Sequence, residues 1–140
     1  MSSKWIDDRI NDMYSYVRSR TMSELKSKYS DLYFTMDASE NTNAKFPTVY
    51  MFFDFVERQA TLDGGVINAV YMTCRTQISV KDDSSQGDPT AREVNAKVRD
   101  ELCKLGFITS GGALPTKSGD VKVLIANYQR VVGHDDPLII

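Results

Sequence analysis

The sequence predicts an α+β domain, in which an antiparallel sheet contains a long β-hairpin and carries an N-terminal helix and a second helix packed on it. Two stretches place apolar residues three and four positions apart, which is the period of a helix. Another stretch alternates apolar and polar residues, which is the period of a strand. A length of 140 residues matches a single domain over 1–140 and is enough to bury a core without disulfides or metals.

The N-terminal helix is predicted over about residues 4–28. Its apolar residues recur at helical spacing and define one face. These residues are Ile6, Ile10, Met13, Tyr14 and Val17. Residues 31–36 then have the composition of a short strand, and the polar residues 38–43 are typical of a loop.

The hairpin is predicted over about residues 47–81. Its turn is marked by Asp63-Gly64-Gly65, a sequence that favours tight hairpin loops. In the second strand the even-numbered residues from Val70 to Val80 are mainly apolar, and those between them are mainly polar. This alternation indicates that one face of the strand is buried.

The register of the hairpin depends on the position of its two-residue loop. A loop at Asp63-Gly64 brings the apolar residues of both strands to one face, as a shared core requires. A loop at Gly64-Gly65 would keep that parity but would pair Asp54 with Arg75. The first register predicts that Leu62 faces Gly65, Phe55 faces Met72, Phe53 faces Cys74 and Val49 faces Ile78.

The second helix is predicted over about residues 89–105, with Asp88 as its N-cap and Pro89 at its first position. Gly106 ends the helix, and Phe107 can make the hydrophobic contact that follows such a glycine. One apolar stripe runs along the helix and consists of Ala91, Val94, Val98, Leu102 and Leu105.

The chain after this helix is predicted to contain one further strand. Residues 110–120 have the pattern of a strand end and a loose loop, and about residues 121–132 form the last strand. We expect the hairpin and the second helix to share one core. Its predicted members are Phe53, Phe55, Met72, Cys74, Val94, Val98 and Leu102.

Composition excludes several classes of protein. A net charge of -2 disfavours tight, charge-driven binding to nucleic acid. The sequence contains no apolar run of membrane-spanning length, and acidic residues near its start disfavour a signal peptide, so we expect the protein to form in a cytoplasm. Cys74 and Cys103 both follow apolar patterns, and we expect two buried free thiols.

Residues that could carry chemistry do not form a recognisable constellation. His134, the single histidine, adjoins Asp135 and Asp136, and this segment is better explained as a solvated turn than as a metal site. The glycines near Lys117 do not match a phosphate-binding loop, because such a loop opens a helix and here a strand follows. We therefore expect no enzyme activity, no cofactor and no metal.

The second face of the hairpin carries aromatic residues, which a monomer rarely leaves on an open sheet. Two explanations remain: the N-terminal helix covers this face, or the face is a subunit interface, where Tyr, Phe and Arg are enriched. The apolar run Leu138-Ile139-Ile140 could similarly contact a partner or lack order. Including the hairpin tip, the candidate interface residues are Tyr50, Phe52, Arg58, Asp63, Tyr71 and Arg75.

The order of these elements resembles the tail terminator, or tail completion, proteins of long-tailed bacteriophages. The resemblance covers about residues 46–132. In that family a Phe-Pro-x-Val strand start, an alternating strand, a helix ending in Leu-Gly-Phe and a last strand with Ala-x-Tyr recur. The corresponding segments here are Phe46-Pro47-Thr48-Val49, residues 68–80, residues 91–107 and Ala126-Asn127-Tyr128.

The resemblance implies a structural virion protein that assembles in the host cytoplasm and lies at the joint between head and tail. It implies a ring, usually of six copies, that caps the tail tube, stops tube polymerisation and joins the head connector. DNA would pass through the lumen without specific binding. A head-completion or connector protein, and a tail completion protein of a phage-derived contractile particle, are alternatives that the pattern leaves open. A nucleotide- or DNA-binding module is the alternative from another class of function, but this sequence lacks the basic patch that such a module needs.

Overall fold

Two helices and a mixed sheet of six strands make up the fold, so the predicted α+β class is confirmed. The computed structural model describes residues 4–37, 45–57, 62–63, 66–67, 69–81, 87–111, 114–134 and 136. The elements are α1 (Lys4–Leu25), β1 (Tyr33–Thr35), β2 (Thr48–Glu57), β3 (Leu62–Asp63), β4 (Val66–Ile67), β5 (Ala69–Lys81), α2 (Asp88–Lys104), β6 (Ile108–Thr109), β7 (Leu114–Ser118) and β8 (Val121–Gly133). The predicted loop at 38–43 and the run Leu138-Ile139-Ile140 lie outside the described residues.

The strands of the main sheet follow the order β1-β2-β5-β8-β6, and β7 also pairs with β8. The prediction of a wholly antiparallel sheet is wrong at one edge, where β1 runs parallel to β2 and Tyr33 pairs with Thr48. A parallel neighbour requires a connection that returns the chain to the starting end of the strand. Residues 36–47 separate the two strands in sequence, and nothing in their composition distinguishes such a connection from a hairpin loop.

The body of the hairpin has the predicted register. Phe55 pairs with Met72, Phe53 pairs with Cys74, and Val49 pairs with Ile78. A register shifted by one residue would have turned the apolar set away from the helices, so core burial fixes this pairing.

The register at the hairpin tip differs from the prediction. Leu62 pairs with Ile67 instead of Gly65, and Asp63 pairs with Val66. Gly64 and Gly65 are therefore the two residues between the paired strands, and either glycine tolerates the positive φ that such loops need. Glu57 pairs with Val70 in the body and Leu62 pairs with Ile67 at the tip, so the register of the tip is offset from that of the body by two residues.

Strand β7 lies where the sequence indicates a loose loop. It forms a hairpin with β8, in which Ser118 pairs with Val121 across a turn that contains Gly119 at φ +63°. Pro115 makes this strand hard to recognise from the sequence, because proline cannot donate a hydrogen bond to a sheet ladder and is rare in strands. It is tolerated because β7 pairs with β8 alone among the described strands and leaves one side unpaired.

Both helices pack on the same face of the sheet, and the predicted sharing of one core by hairpin and α2 is confirmed. Phe53 and Phe55 are half-buried at the margin of this core. The ring of Tyr14 on α1 meets the ring of Phe34 on β1 edge to face, with centroids 6.4 Å apart. Fully buried members from α1, β2, β5, α2 and β8 are Ile6, Met13, Val17, Val49, Met51, Met72, Cys74, Val94, Val98, Leu102 and Val132.

The prediction for α2 is confirmed at the C-terminal end of the helix and is wrong at the N-terminal end. Asp88 is the first helical residue and Gly87 is the cap, so the predicted aspartate cap is wrong. At the other end Gly106 has φ +92°, and the Phe107 N–H donates to the Leu102 carbonyl at 3.1 Å. This is the predicted glycine stop with its hydrophobic contact, since Phe107 is buried.

The two cysteines differ in exposure. Cys74 is buried, as predicted, whereas Cys103 is exposed and its predicted burial is wrong. Cys103 follows Leu102 on α2 by about 100° of helical rotation, which carries its side chain past the apolar stripe. Among the described residues, neither helix is long and apolar enough to cross a membrane.

The core prediction can be tested at Val98. Replacing Val98 with Asp places an unpaired carboxylate in a fully buried position, so we expect the free energy of unfolding to fall by about 3 kcal/mol or more. Cys103→Asp adds the same group to an exposed position of α2 and should cost less than about 1 kcal/mol. Urea denaturation of both variants measures the difference, and equal stability of the two would contradict the assigned core.

Thiol reactivity checks the assignment of the cysteines. Burial raises the pKa of the Cys74 thiol, so its thiolate is scarce as well as inaccessible. Ellman's reagent should therefore titrate one thiol in the folded protein and two in denaturant. Cys103→Ser should abolish the fast reaction, and persistence of that reaction would place Cys74 in contact with solvent.

Candidate interaction surface

The sheet face opposite the helices is the main candidate for a functional surface. We call it the open face and define it by the alternate residues of β2, β5 and β8 that point away from the helices, with their neighbours on β6 and β7. No described element packs on it, whereas α1 and α2 both cover the other face. The explanation that the N-terminal helix covers the aromatic residues is therefore wrong for the described part of the chain.

Large apolar side chains concentrate on the open face. Of the six exposed large hydrophobic residues among those described, five lie there, with exposed fractions of 42% to 66%. They are Phe52, Val56, Ile108, Leu114 and Val131. Scattered apolar residues are normal on a protein surface, but a group on one sheet face marks an interaction site.

Four of the six predicted interface residues meet on this face. Phe52 lies directly across from Arg75, and Val56 lies across from Tyr71. Phe52 and Arg75 are exposed, whereas Tyr50 and Tyr71 are half-buried. Aromatic and guanidinium groups so placed can bury large areas against a protein partner while still making hydrogen bonds.

The other two predicted residues belong to the hairpin tip. Arg58 lies outside the described residues, and Asp63 is described only through its backbone pairing with Val66. The β3–β4 ladder forms a separate two-stranded sheet, offset from the main one. The hairpin therefore continues past the paired body of the sheet in a ribbon that lacks a described third strand.

Polar side chains of the open face bond to one another across the strands. The Tyr71 hydroxyl donates to Gln129 Oε1, and Arg75 Nε donates to Asn127 Oδ1 at 3.4 Å. Both pairs join β5 to β8. These bonds hold the polar groups in fixed positions between the apolar side chains. Such an arrangement favours a specific interface over a non-specific hydrophobic contact.

The sequence missed the contribution of β6, β7 and β8 to this face. Ile108 pairs with Gln129, and Leu114 pairs with Ile125, which places both on the open face. The sequence of the last strand indicated this contribution, because apolar residues occupy both odd-numbered and even-numbered positions between Val121 and Ala126. A strand that is apolar on both faces needs a partner on each.

A second feature that the sequence missed is a buried carboxylate between the helices. Glu101 is fully buried on α2 and accepts hydrogen bonds from Lys97 at 2.7 Å and Lys104 at 3.3 Å. Burial alone would raise the pKa of Glu101, but the two ammonium groups outweigh it and hold its pKa below the usual range. Lys97 also pairs with Glu24 of α1 at 3.2 Å, which ties the two helices together.

The end of α1 is fixed to α2 by a second polar cluster. Lys28 Nζ lies 2.8 Å from Glu93 Oε1, and the Tyr29 hydroxyl donates to the same oxygen. Hydrogen bonds from these two groups lower the pKa of Glu93. Both clusters lie on the helix side, away from the open face.

The segment around His134 is an exposed turn, in agreement with the prediction, but it is anchored. The His134 ring meets Trp5 edge to face at 5.4 Å, and its carbonyl accepts from Arg9 at 2.9 Å. Asp136 forms an ion pair with Arg130. Among the described residues, no three His, Cys, Asp or Glu side chains lie close enough together to hold a metal.

No family model matches the chain, and no curated protein matches it. The inference of function therefore depends on the sequence pattern and on the geometry of the open face. That geometry combines exposed apolar area, cross-strand hydrogen bonds and a projecting ribbon. Surfaces of this composition are typical of contacts between proteins.

Glu101 gives a prediction on stability and pH. Because the folded-state pKa lies below the ordinary value of 4.5, the carboxylate stabilises the fold above that pH and loses this effect as the pH falls through its folded pKa. We expect Glu101→Gln to lower the free energy of unfolding by about 1–3 kcal/mol at pH 7. The difference from the unsubstituted protein should shrink towards zero well below pH 4.5.

Chemical denaturation at pH 7 and in acid measures both differences. Glu24→Gln is the matched control, since Glu24 pairs with the same lysine but is 62% exposed, and it should cost less than about 1 kcal/mol. A Glu101→Gln deficit that persists unchanged in acid would show that the side chain acts by packing and not by charge.

Proposed function

We propose that this protein is a tail terminator of a long-tailed bacteriophage, which forms a ring on the last ring of the tail tube. In that position it stops tube polymerisation and offers the surface to which the head connector joins. The observation that carries the proposal is the open face, an apolar and aromatic sheet surface that the described elements of the same chain leave uncovered. The order of elements over residues 46–132, which resembles this family, supplies the biological setting.

A ring fits this surface for a geometric reason. In a closed ring each copy contacts its neighbours through two different surface patches. One patch can therefore be an extended sheet face, and the second patch can have a different shape. The open face supplies apolar area from five strands, which is the kind of fixed platform that a repeated contact needs. An obligate contact between copies is also the most apolar class of protein interface.

The hairpin tip is the second element that favours contact with a neighbour. Strand β5 has 13 residues and extends for about 43 Å, whereas the 17 residues of α2 extend for about 25 Å. A two-stranded ribbon is at best marginally stable on its own. Packing of the β3–β4 ladder against an adjacent copy would provide the missing layer.

The charge of the chain also suits a ring through which DNA passes. A net charge of -2 gives the phosphate backbone little to bind, so DNA would move through the lumen without being retained. In this proposal the partners are other copies of the chain, the tail tube protein and the head connector. The location is the head–tail joint of the virion, after assembly in the host cytoplasm.

Shortening the hairpin tests this function in a phage that lacks the unaltered gene. Replacing residues Arg58 to Gly65 with a short turn removes the tip but leaves the pairing of β2 with β5, so the domain should fold. We expect tails of abnormal length that fail to join heads, as measured by electron microscopy of lysates. Tails of normal length joined to heads would rule out a terminator role for the tip.

A substitution on the open face serves as the second arm of the same experiment. Phe52→Asp changes an exposed side chain, so the melting temperature should stay within a few degrees while ring formation on tubes is lost. Ser15→Asp, at an exposed position of α1, is the matched control and should leave rings intact. Loss of rings in both variants, or in neither, would show that ring assembly does not depend specifically on the open face.

A further inference from the structure

Strand β7 lies at one edge of the sheet, and we call its side away from β8 the outer edge. Among the described strands β7 pairs with β8 alone, and its residues 114–117 are all exposed. Because bonded and non-bonded pairs alternate along an antiparallel ladder, every second residue of β7 directs its backbone groups away from β8. A row of backbone groups at an exposed edge is a template for an added strand. The edge strand on the other side of the sheet, β1, is less accessible, since Phe34 and Thr35 are buried.

A groove on the helix side of the sheet separates α2 from the β7–β8 hairpin. Its volume is about 780 Å³, and its lining includes Ala91, Pro115 and Leu124. Pro115 pairs with the buried Leu124, so the odd-numbered side chains of β7 lie on the helix side. Helix α2 packs on β5 and β8, which leaves the groove beside β7. Side chains on the helix-side face of a strand added to the outer edge would therefore adjoin this groove.

Two arginines give the α2 wall of this groove its charge. Arg92 and Arg99 are both exposed, and seven residues of helix separate them by about 10 Å along its axis. Neither forms an ion pair with a carboxylate in the described part of the chain. The lysines of the lining add little, because Lys122 pairs with Asp88 at 3.3 Å and Lys117 makes an interaction of its own. The uncompensated charge of the groove is therefore that of the two arginines.

An amide without a hydrogen-bond partner lies between these arginines. Asn95 lines the same groove and is half-buried, and its Oδ1 accepts no hydrogen bond from any described residue. Native proteins pair most of their buried polar atoms. The side chain of Asn95 is thus a spare hydrogen-bonding group next to two unpaired positive charges.

The other face of an added strand would adjoin the open face. Leu114 is 66% exposed and lies on that face, because it pairs with Ile125. Alternate side chains of a strand point to opposite faces, and neighbouring strands contact each other through side chains on the same face. Apolar residues are therefore favoured beside Leu114, and acidic residues are favoured on the side of Arg92 and Arg99. The complementary segment is one in which acidic and apolar residues alternate.

We propose that the outer edge of β7 binds an extended segment of another protein, in which acidic residues alternate with apolar ones. The segment adds a strand to the sheet, with its acidic side chains towards Arg92 and Arg99 and its apolar side chains beside Leu114. Backbone hydrogen bonds to β7 provide binding, and the two faces select the side chains. This surface is distinct from the contact between copies proposed above and does not depend on it. Nucleic acid can also meet the arginines, but it cannot pair with the edge of a strand.

The test is an NMR titration of the full-length protein, labelled with nitrogen-15, with the acetylated and amidated peptide Val-Glu-Val-Glu-Val-Glu-Val. We expect saturable shifts of the backbone amide signals of Thr116 and Lys117 and of the Nε signals of Arg92 and Arg99. Arg92→Glu and Arg99→Glu, tested separately, should each raise the Kd about tenfold, because each reverses a charge on the groove wall. Arg18→Glu reverses an exposed charge on α1, outside the groove, and should leave the Kd unchanged.

Altered peptides separate strand addition from simple attraction of charge. A peptide with Gln in place of every Glu keeps the alternation but should bind about tenfold more weakly or not at all. An added strand bonds to β7 through one of its two edges only. N-methylation of the backbone at every Glu, or in a second peptide at every inner Val, should therefore abolish binding in one of the two peptides and preserve it in the other.

Several outcomes would overturn the proposal. Absence of binding by the unaltered peptide is one, and an equal loss of affinity in Arg18→Glu is another. Loss of binding with both methylated peptides, or with neither, would exclude strand addition. Displacement of the peptide by a single-stranded oligonucleotide, with an affinity that falls steeply with salt, would assign the arginines to nucleic acid instead.

Discussion

Strand β5 lies at the centre of the sheet, and the alternation of its side chains is the constraint on which the rest of the fold depends. It pairs along its length with β2 on one side and β8 on the other. Its even-numbered residues are buried under the helices, and its odd-numbered residues face outwards. Because the side-chain period of a strand is two, this one pattern sets the register of both neighbours and decides which face of each is buried.

That constraint also determines the asymmetry of the molecule. Both helices are needed to cover the helix-side face, and their polar clusters around Glu101 and Glu93 fix them to each other. None of the described residues remains to cover the other face, so apolar side chains such as Phe52 and Val131 stay in contact with solvent. The two-layer arrangement thus leaves one apolar sheet face uncovered by the described residues as a direct consequence of how the core is built.

The sequence by itself determined the features that depend on local pattern. The two helices, the facing of Phe53 by Cys74 and the Gly106 stop of α2 follow from periodicity, parity and the conformational freedom of glycine. It also located Phe52, Tyr71 and Arg75 on one surface, because parity along a hairpin places them there. The burial of Cys103 was mispredicted, since its neighbours on the helix are apolar but its own angle lies outside the stripe.

Other features depend on contacts between distant residues, and only the tertiary structure decided them. The parallel pairing of β1 with β2, the strand at Leu114–Ser118 and the joining of Ile108 and Leu114 to the open face require neighbours far away in the chain. Arg92 of α2 and Lys117 of β7 likewise line one cavity between the helix and the β7–β8 hairpin, although 25 positions separate them in sequence. Periodicity shows which side of an element is apolar, but which surfaces meet and which stay open depends on how the whole chain packs.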